Sequence, residues 1–278
     1  MSKVVAIVCV VLLLFTCSAA YAAGRIVKTD KAPAAIGPYS QAVWAGNLLY
    51  LSGQIGLVPE TNKMIEGGTL AEAEQIFKNV AAVLESQGMS FKDIVKATVF
   101  GMDIKEFPDV NKLYATFFPE NPPARSFIQA VALPAGAAIE IEFIAYRGAK
   151  ETVTTDKAPA AIGPYSQAVW AGNMLYLSGQ IGLVPETNKM IGGGTLAEAE
   201  QIFKNVAAIL ESQGLSFKDI VKATVFGMDI KEFPEVNKLY ATYFPENPPA
   251  RSFVQAAALP AGAAIEIEFI AFRECCKK

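Results

Sequence analysis

The chain is 278 residues long, 52% hydrophobic and 18% charged, a balance that supplies a sizeable core and excludes a disordered or collagen-like polymer. Its 24 Lys and Arg against 27 Asp and Glu give a net charge of −3, so no basic field exists to hold a nucleic acid. Histidine is absent, which excludes Ser-His-Asp and Cys-His catalysis, histidine metal sites and histidine-based ribonuclease chemistry.

Met1-Ser2-Lys3 places one positive charge before the unbroken apolar run Val4 to Phe15, and small residues follow to Ala20-Tyr21-Ala22-Ala23. This order of charge, apolar core and A-x-A site predicts a secretory signal peptide over residues 1–22, and hence a secreted protein. The apolar run falls short of the roughly 20 residues that span a bilayer, so no membrane association is expected after cleavage. Cys9 and Cys17 leave with the leader, and the folded body then relies on its core rather than on internal disulfides. Cys275 and Cys276 sit on a tail, residues 274–278, where either an interchain bridge or no role at all fits them.

Thr29-Asp30-Lys31-Ala32-Pro33 recurs as Thr155-Asp156-Lys157-Ala158-Pro159, an offset of 126. Of the 118 pairs formed by residues 29–146 and 155–272, nine differ and 109 are identical. A period this long is a whole domain written twice. The expected organisation is a first domain over residues 25–147, a linker at 148–151 and a second domain over 152–273.

In the first copy, Arg25 to Thr29 reads as a short edge strand. Gln41 to Trp44 and Leu48 to Ser52 flank Ala45-Gly46-Asn47, a hairpin signal. Thr69-Leu70-Ala71-Glu72 reads as a capping box that opens a helix, along which Leu70, Ala73, Ile76, Phe77, Val80, Val83 and Leu84 keep helical spacing until Gly88. Val95 to Met102 is a β-branched strand, and Pro108 opens a second helix with Phe107, Val110, Tyr114 and Phe117 on one side. After the break at Pro119 to Pro123 come strands Arg125 to Val131 and Ile139 to Tyr146. The order β-β-β-α-β-α-β-β predicts an α+β domain with two helices on one face of a sheet, and the second copy must fold alike.

Carboxylates, Tyr, Ser and Arg remain as chemical candidates. Gly67-Gly68 and Gly192-Gly193-Gly194 lack the Lys-Ser/Thr of a phosphate loop, and no metal-ligand cluster is present. Glu140 and Glu142 alternate with Ile139 and Ile141, so both carboxylates share one face of the last strand, a pattern that usually marks a solvated face. Arg125 stands at the start of the preceding strand and offers a planar fork for a ligand carboxylate.

Taken in order, Ala34-Ala35-Ile36-Gly37-Pro38-Tyr39-Ser40-Gln41, Ser52-Gly53-Gln54-Ile55-Gly56, Pro123-Ala124-Arg125-Ser126 and Ile139-Glu140-Ile141-Glu142 resemble the RidA family, also called YjgF or liver perchloric-acid-soluble protein. The resemblance spans essentially all of each copy, and Ser-Gly-Gln-Ile-Gly-Leu is closest to animal-type members. It implies two chorismate-mutase-like domains, assembly through domain trimers with ligand sites between neighbouring domains, and cofactor-free hydrolysis of 2-enamine and 2-imine acids to 2-keto acids and ammonia. On that resemblance Arg125 clamps the substrate carboxylate, Glu140 orients or activates water, and Tyr39 lines the same cleft, with Ser52, Gly53 and Asn111 contributing contacts. The second copy supplies Arg251, Glu266, Tyr165, Ser178, Gly179 and Asn237. Two departures bear on the pocket. Pro122 and Pro248 replace an aromatic, and the rings of Phe127 and Phe253 stand where a small residue is usual.

The partners expected are therefore a small imine, enamine or keto acid and further copies of the same domain, without nucleic acid. The family's role is intracellular, which the leader contradicts, so a secreted, non-catalytic binding or structural module is the alternative, with a ribonuclease or translation inhibitor third. Three chains supply six domains, enough for two stacked rings of three, so a homotrimer is expected.

Overall fold

A computed structural model describes residues 25–274, so the leader and Cys275-Cys276 lie outside the described residues. The first domain runs β1 (Arg25–Val27), β2 (Ala42–Ala45), β3 (Leu48–Gln54), a small hairpin β4 (Leu57–Val58) and β5 (Lys63–Met64), α1 (Gly68–Glu85), β6 (Ile94–Gly101), α2 (Phe107–Phe117), β7 (Ala124–Gln129) and β8 (Ile139–Tyr146). The second repeats it as β9 (Lys150–Val153), β10 (Ala168–Ala171), β11 (Met174–Leu177), β12 (Leu183–Val184), β13 (Lys189–Met190), α3 (Thr195–Ser212), β14 (Ile220–Gly227), α4 (Phe233–Tyr243), β15 (Ala250–Gln255) and β16 (Ile265–Phe272). Each domain is a six-stranded mixed sheet, in the orders β1-β2-β3-β8-β6-β7 and β9-β10-β11-β16-β14-β15. Only β6–β7 and β14–β15 run parallel, because a helix connects them. The expected α+β order holds, with the short β4–β5 hairpin added to it.

Alternation along β8 divides the domain into two faces. Ile139, Ile141, Phe143 and Ala145 point inward and are buried against Ile76, Phe77, Val80, Val83 and Leu84 of α1. Phe77 stacks on Phe117 at 4.1 Å and meets Tyr114 edge-on at 5.7 Å, which locks α2 onto α1. The opposite, helix-free face carries Glu140 and Glu142, and in the second domain Glu266 and Glu268. A bulge between Leu51 and Gln54 interrupts the β3–β8 ladder and turns the chain over Glu140.

Two local expectations are corrected. Thr69 and Glu72 do not form a capping box, since the Thr69 hydroxyl donates to Glu106 Oε2 at 2.5 Å and Glu72 accepts from the Ala138 backbone N–H at 2.8 Å. Tertiary partners outcompete the local cap. The linker is also shorter than expected, because strand β9 already begins at Lys150.

The domains join head to tail through their helix-free faces. Val95 and Ala124 of the first pack on Val169, Ala171 and Tyr176 of the second, and Ile128 packs among Ile181, Leu183, Phe226 and Leu259. At the centre of this contact Lys96 Nζ meets Glu268 Oε2 at 2.7 Å, and the Ser126 hydroxyl donates to the same oxygen at 2.6 Å. Burial pushes the Glu268 carboxyl up, but the Lys96 cation and the hydrogen bonds from Lys96, Ser126 and Thr224 outweigh it and hold the group below its ordinary value. Breaking a buried pair strands the remaining charge at about 3–5 kcal/mol. Glu268→Gln is therefore expected to destabilise the chain by that order in denaturant titrations followed by intrinsic fluorescence.

Candidate functional site

Arg125 enters the domain contact near the start of β7. Its backbone N–H donates to Ser178 Oγ at 2.8 Å, and its carbonyl accepts from the Gly179 N–H at 3.1 Å. With the main chain so pinned, the guanidinium lies 4.7 Å from the ring centroid of Tyr114, 5.4 Å from that of Tyr165 and 5.6 Å from that of Phe107. It is 3% exposed, yet neither Nη1 nor Nη2 has a hydrogen-bond partner. Burial pulls its pKa down, with Tyr114, Tyr165 and Glu266 opposing. Asn111 Oδ1 beside it is likewise buried without a partner. Buried donors and acceptors of this kind are normally satisfied, so the cluster is shaped for a group that supplies acceptors to the arginine and a donor to the asparagine.

Arg125 shares a cavity with Phe107 and Phe127 of the first domain and with Ile162, Tyr165, Gly179, Ile181, Pro260 and Glu266 of the second. The space open to the centre of a water molecule is about 20 Å³, room for about one water, so a larger ligand would have to displace the lining side chains. Phe127 stands edge-on to Phe107 at 4.8 Å and walls this space, which places the unusual ring in the pocket. Glycines let the backbone close in. A Cβ on Gly163 would lie 2.9 Å from Arg125 Nη2, and one on Gly179 would lie within 2 Å of Glu266 Oε1.

Glu266 is buried, and its pKa is pushed up to about 8, chiefly by loss of water. Lys96 opposes the rise, Glu268 adds to it, and the Phe127 backbone N–H and Arg125 oppose it. With its pKa near 8, the Glu266 carboxyl is mostly protonated near neutrality, beside the Arg125 guanidinium. Such a pair can bind a carboxylate and pass a proton to an adjacent atom.

The structure groups the sequence candidates across the chain. Arg125 and Asn111 meet Tyr165, Gly179 and Glu266, so the expectation that Arg125 shares a cleft with Glu140 and Tyr39 is corrected. The reason is the direction of β7, which presents Arg125 to the neighbouring domain. Ser178 is a tie and does not line the cavity, since its hydroxyl donates to Ser166 O at 2.6 Å while accepting from Arg125 N. Tyr39, Gly53 and Glu140 lie together on the first domain's uncovered face, where a Cβ on Gly53 would again strike Glu140 Oε1. Burial, then Glu142, raises the Glu140 pKa. Ser52 donates to Ser40 O at 2.6 Å. Arg251 and Asn237 lie at the second domain's free edge, where Arg251 Nη2 donates to Asn237 Oδ1 at 2.6 Å. Sequence reasoning missed Tyr114, Phe107, Ile181 and Pro260, which read only as core or loop positions. Among the described residues no group of three His, Cys, Asp or Glu is placed to hold a metal ion.

A sequence model of the endoribonuclease L-PSP family matches residues 29–147 and again 155–273. A chloroplastic Reactive Intermediate Deaminase A of Arabidopsis thaliana is 50% identical over 44% of this chain and 65% of its own length. The 2-iminobutanoate/2-iminopropanoate deaminase of mouse is 48% identical over 44% of this chain and 90% of its own. Among solved structures, the YjgF gene product of E. coli is 46% identical over 45% of this chain and 99% of that one, with a TM-score of 0.43.

Glu266 also sets a pH dependence of stability. The unfolded chain loses this proton near 4.5 and the folded chain near 8, so between those values the folded state binds more protons and stability falls as pH rises. Glu266→Gln cannot ionise and is expected to flatten that decline in urea midpoints measured from pH 5 to 8.

Proposed function

Because the chain belongs to the endoribonuclease L-PSP family, twice over, we propose that it hydrolyses small 2-imine and 2-enamine acids to 2-keto acids and ammonia. The observation that carries this reading is the buried guanidinium of Arg125, unpartnered and in one cavity with the buried Glu266 carboxyl. Arg125 holds the substrate carboxylate in a two-pronged contact. Glu266 gives its proton to the imine nitrogen, and the resulting carboxylate takes a proton from water as oxygen bonds to the electrophilic carbon. Collapse of the carbinolamine then expels ammonia and leaves the keto acid. An enamine enters the same path after protonation at its β-carbon. No strong nucleophile is required, which suits a chain without histidine.

The names of the Arabidopsis and mouse relatives support this substrate class. A net charge of −3 weighs against a polynucleotide substrate. We also propose, from the Met1–Ala23 motif and the animal-type form of Ser52–Leu57, a secreted member of the family that self-associates through its domains, with three chains as the expected stoichiometry.

The mature chain, supplied with imine made in place by an amino-acid oxidase, is expected to accelerate keto-acid and ammonia release. Arg125→Ala/Arg251→Ala should lose at least tenfold, the value of charged hydrogen bonds of about 1.5–3 kcal/mol. Tight binding of keto acids with no turnover would instead mark a binding module. Since Glu266 acts protonated, kcat/KM should fall as pH rises through about 8, and Glu266→Gln should lose that alkaline limb along with about 10² to 10⁴ in rate.

A further inference from the structure

A larger cavity, of about 860 Å³, sits where one copy runs into the next, walled by residues 90–92, 116–121 and 150–152. None of its lining residues lines the cavity at Arg125. It owes one wall to the joining of the copies. Lys150 lies outside the repeated residues, and Gly24 stands 126 positions before it.

Lys150 supplies the chemistry of this cavity. Its backbone is fixed in the β9–β10 pairing, opposite Ala171. Its side chain crosses to the first domain, where Nζ donates to Ile94 O at 2.7 Å. The residue is half-buried and makes no salt bridge among the described residues, so Asp93 acts on it only at longer range. Burial draws its pKa from 10.5 down to about 8, and Asp93 opposes the fall. A sizeable share of the amine is therefore neutral near pH 8, as in lysines that form Schiff bases. A neutral amine that donates one hydrogen to Ile94 O keeps its lone pair free for attack.

The walls select the electrophile. Phe91 and Phe117 lie with ring centroids 5.3 Å apart, and Phe118 meets Phe91 edge-on at 5.5 Å, which makes an aromatic floor. The stack of Phe117 on Phe77 holds that floor in place. Lys92, Glu120 and Glu151 also line the cavity. With Lys150 neutral, one cation faces two carboxylates, a balance that disfavours an anionic ligand.

We propose that Lys150 captures small neutral aldehydes, aromatic ones first, as a Schiff base in this cavity. The Nζ lone pair adds to the carbonyl carbon, and one amine proton passes to the oxygen, giving a carbinolamine. Its hydroxyl leaves as water with a proton from solvent, and an iminium joins the former carbonyl carbon to Nζ. The N–H that remains can still donate to Ile94 O, so the tie that orients the amine also holds the adduct. The step is reversible, needs no oxidant or reductant, and does not draw on the imine chemistry at Arg125.

Benzaldehyde is the probe. The full chain is treated with a limiting amount of it near pH 8, cyanoborohydride reduces the iminium to a stable benzylamine, and peptide mass mapping locates the label. Lys150 is expected to be labelled at least about tenfold ahead of Lys78 and Lys204, exposed lysines paired only within their own helices. Glyoxylate, an aldehyde that carries a carboxylate, should lose this preference. Benzyl alcohol has the shape of the probe but cannot condense, so it should slow labelling of Lys150 and spare the two surface lysines. Labelling of Lys150 no faster than theirs would overturn the proposal. So would the same preference with glyoxylate, or a lack of protection by benzyl alcohol, since either marks a reactive amine without an apolar site around it.

Discussion

One unpaired cation organises this molecule. A buried guanidinium with free donors is a costly thing to fold around, and proteins keep such groups where neighbours over-determine their position. Here the backbone of Arg125 is tied to Ser178 and Gly179, its side chain lies among three aromatic rings, and the Lys96–Glu268 pair closes the contact a few residues away. The pair and the tied backbone hold the two domains together at the point where the arginine would otherwise be solvated. An incoming carboxylate would offset the local penalty, which is what the proposed function asks of this position.

The same residue types behave differently in the two copies because coverage, not sequence, sets their electrostatics. Glu266 and Glu140 occupy equivalent strand positions and both face a glycine that makes room for the carboxyl. Glu266, sealed beneath the first domain, gives up its charge near neutrality. Glu140, on an open face, is pushed the same way only by partial burial and by its neighbour Glu142. Glu268 and Glu142 diverge as well: one is an acceptor in a buried ion pair, the other is solvated. Proximity to Lys96 makes Glu268 the more acidic, while Glu266, one strand pleat away, is left to accept a proton.

Much of this fold was legible beforehand because the signals are local. The alternation along Ile139 to Tyr146 named its inward residues, the Gly46-Asn47 turn set the β2–β3 register, and the 3.6-residue spacing from Leu70 to Leu84 named the buried stripe of α1 except at Leu70, which is exposed. Thr69 and Glu72 misled because their hydrogen-bonding groups have distant partners that no local pattern reveals. The composite site could not be assigned for a related reason. Which copy's face covers which copy's edge is a tertiary fact, and at Arg125, Glu140, Lys96 and Glu142 the two copies carry the same letters. A pattern that usually means a solvated face was right for Glu142 and wrong for Glu268, with nothing in the sequence to separate them.

Between Tyr146, which ends one sheet, and Lys150, which begins the next, only three residues intervene. A tether this brief presents the second domain to the first at an effective concentration in the millimolar range or above, so that their meeting is a unimolecular event. Separate single-domain molecules with the same surfaces would meet only by a bimolecular encounter that dilution disfavours. Covalent duplication makes the composite site at Arg125 and Glu266 indifferent to how scarce the protein becomes.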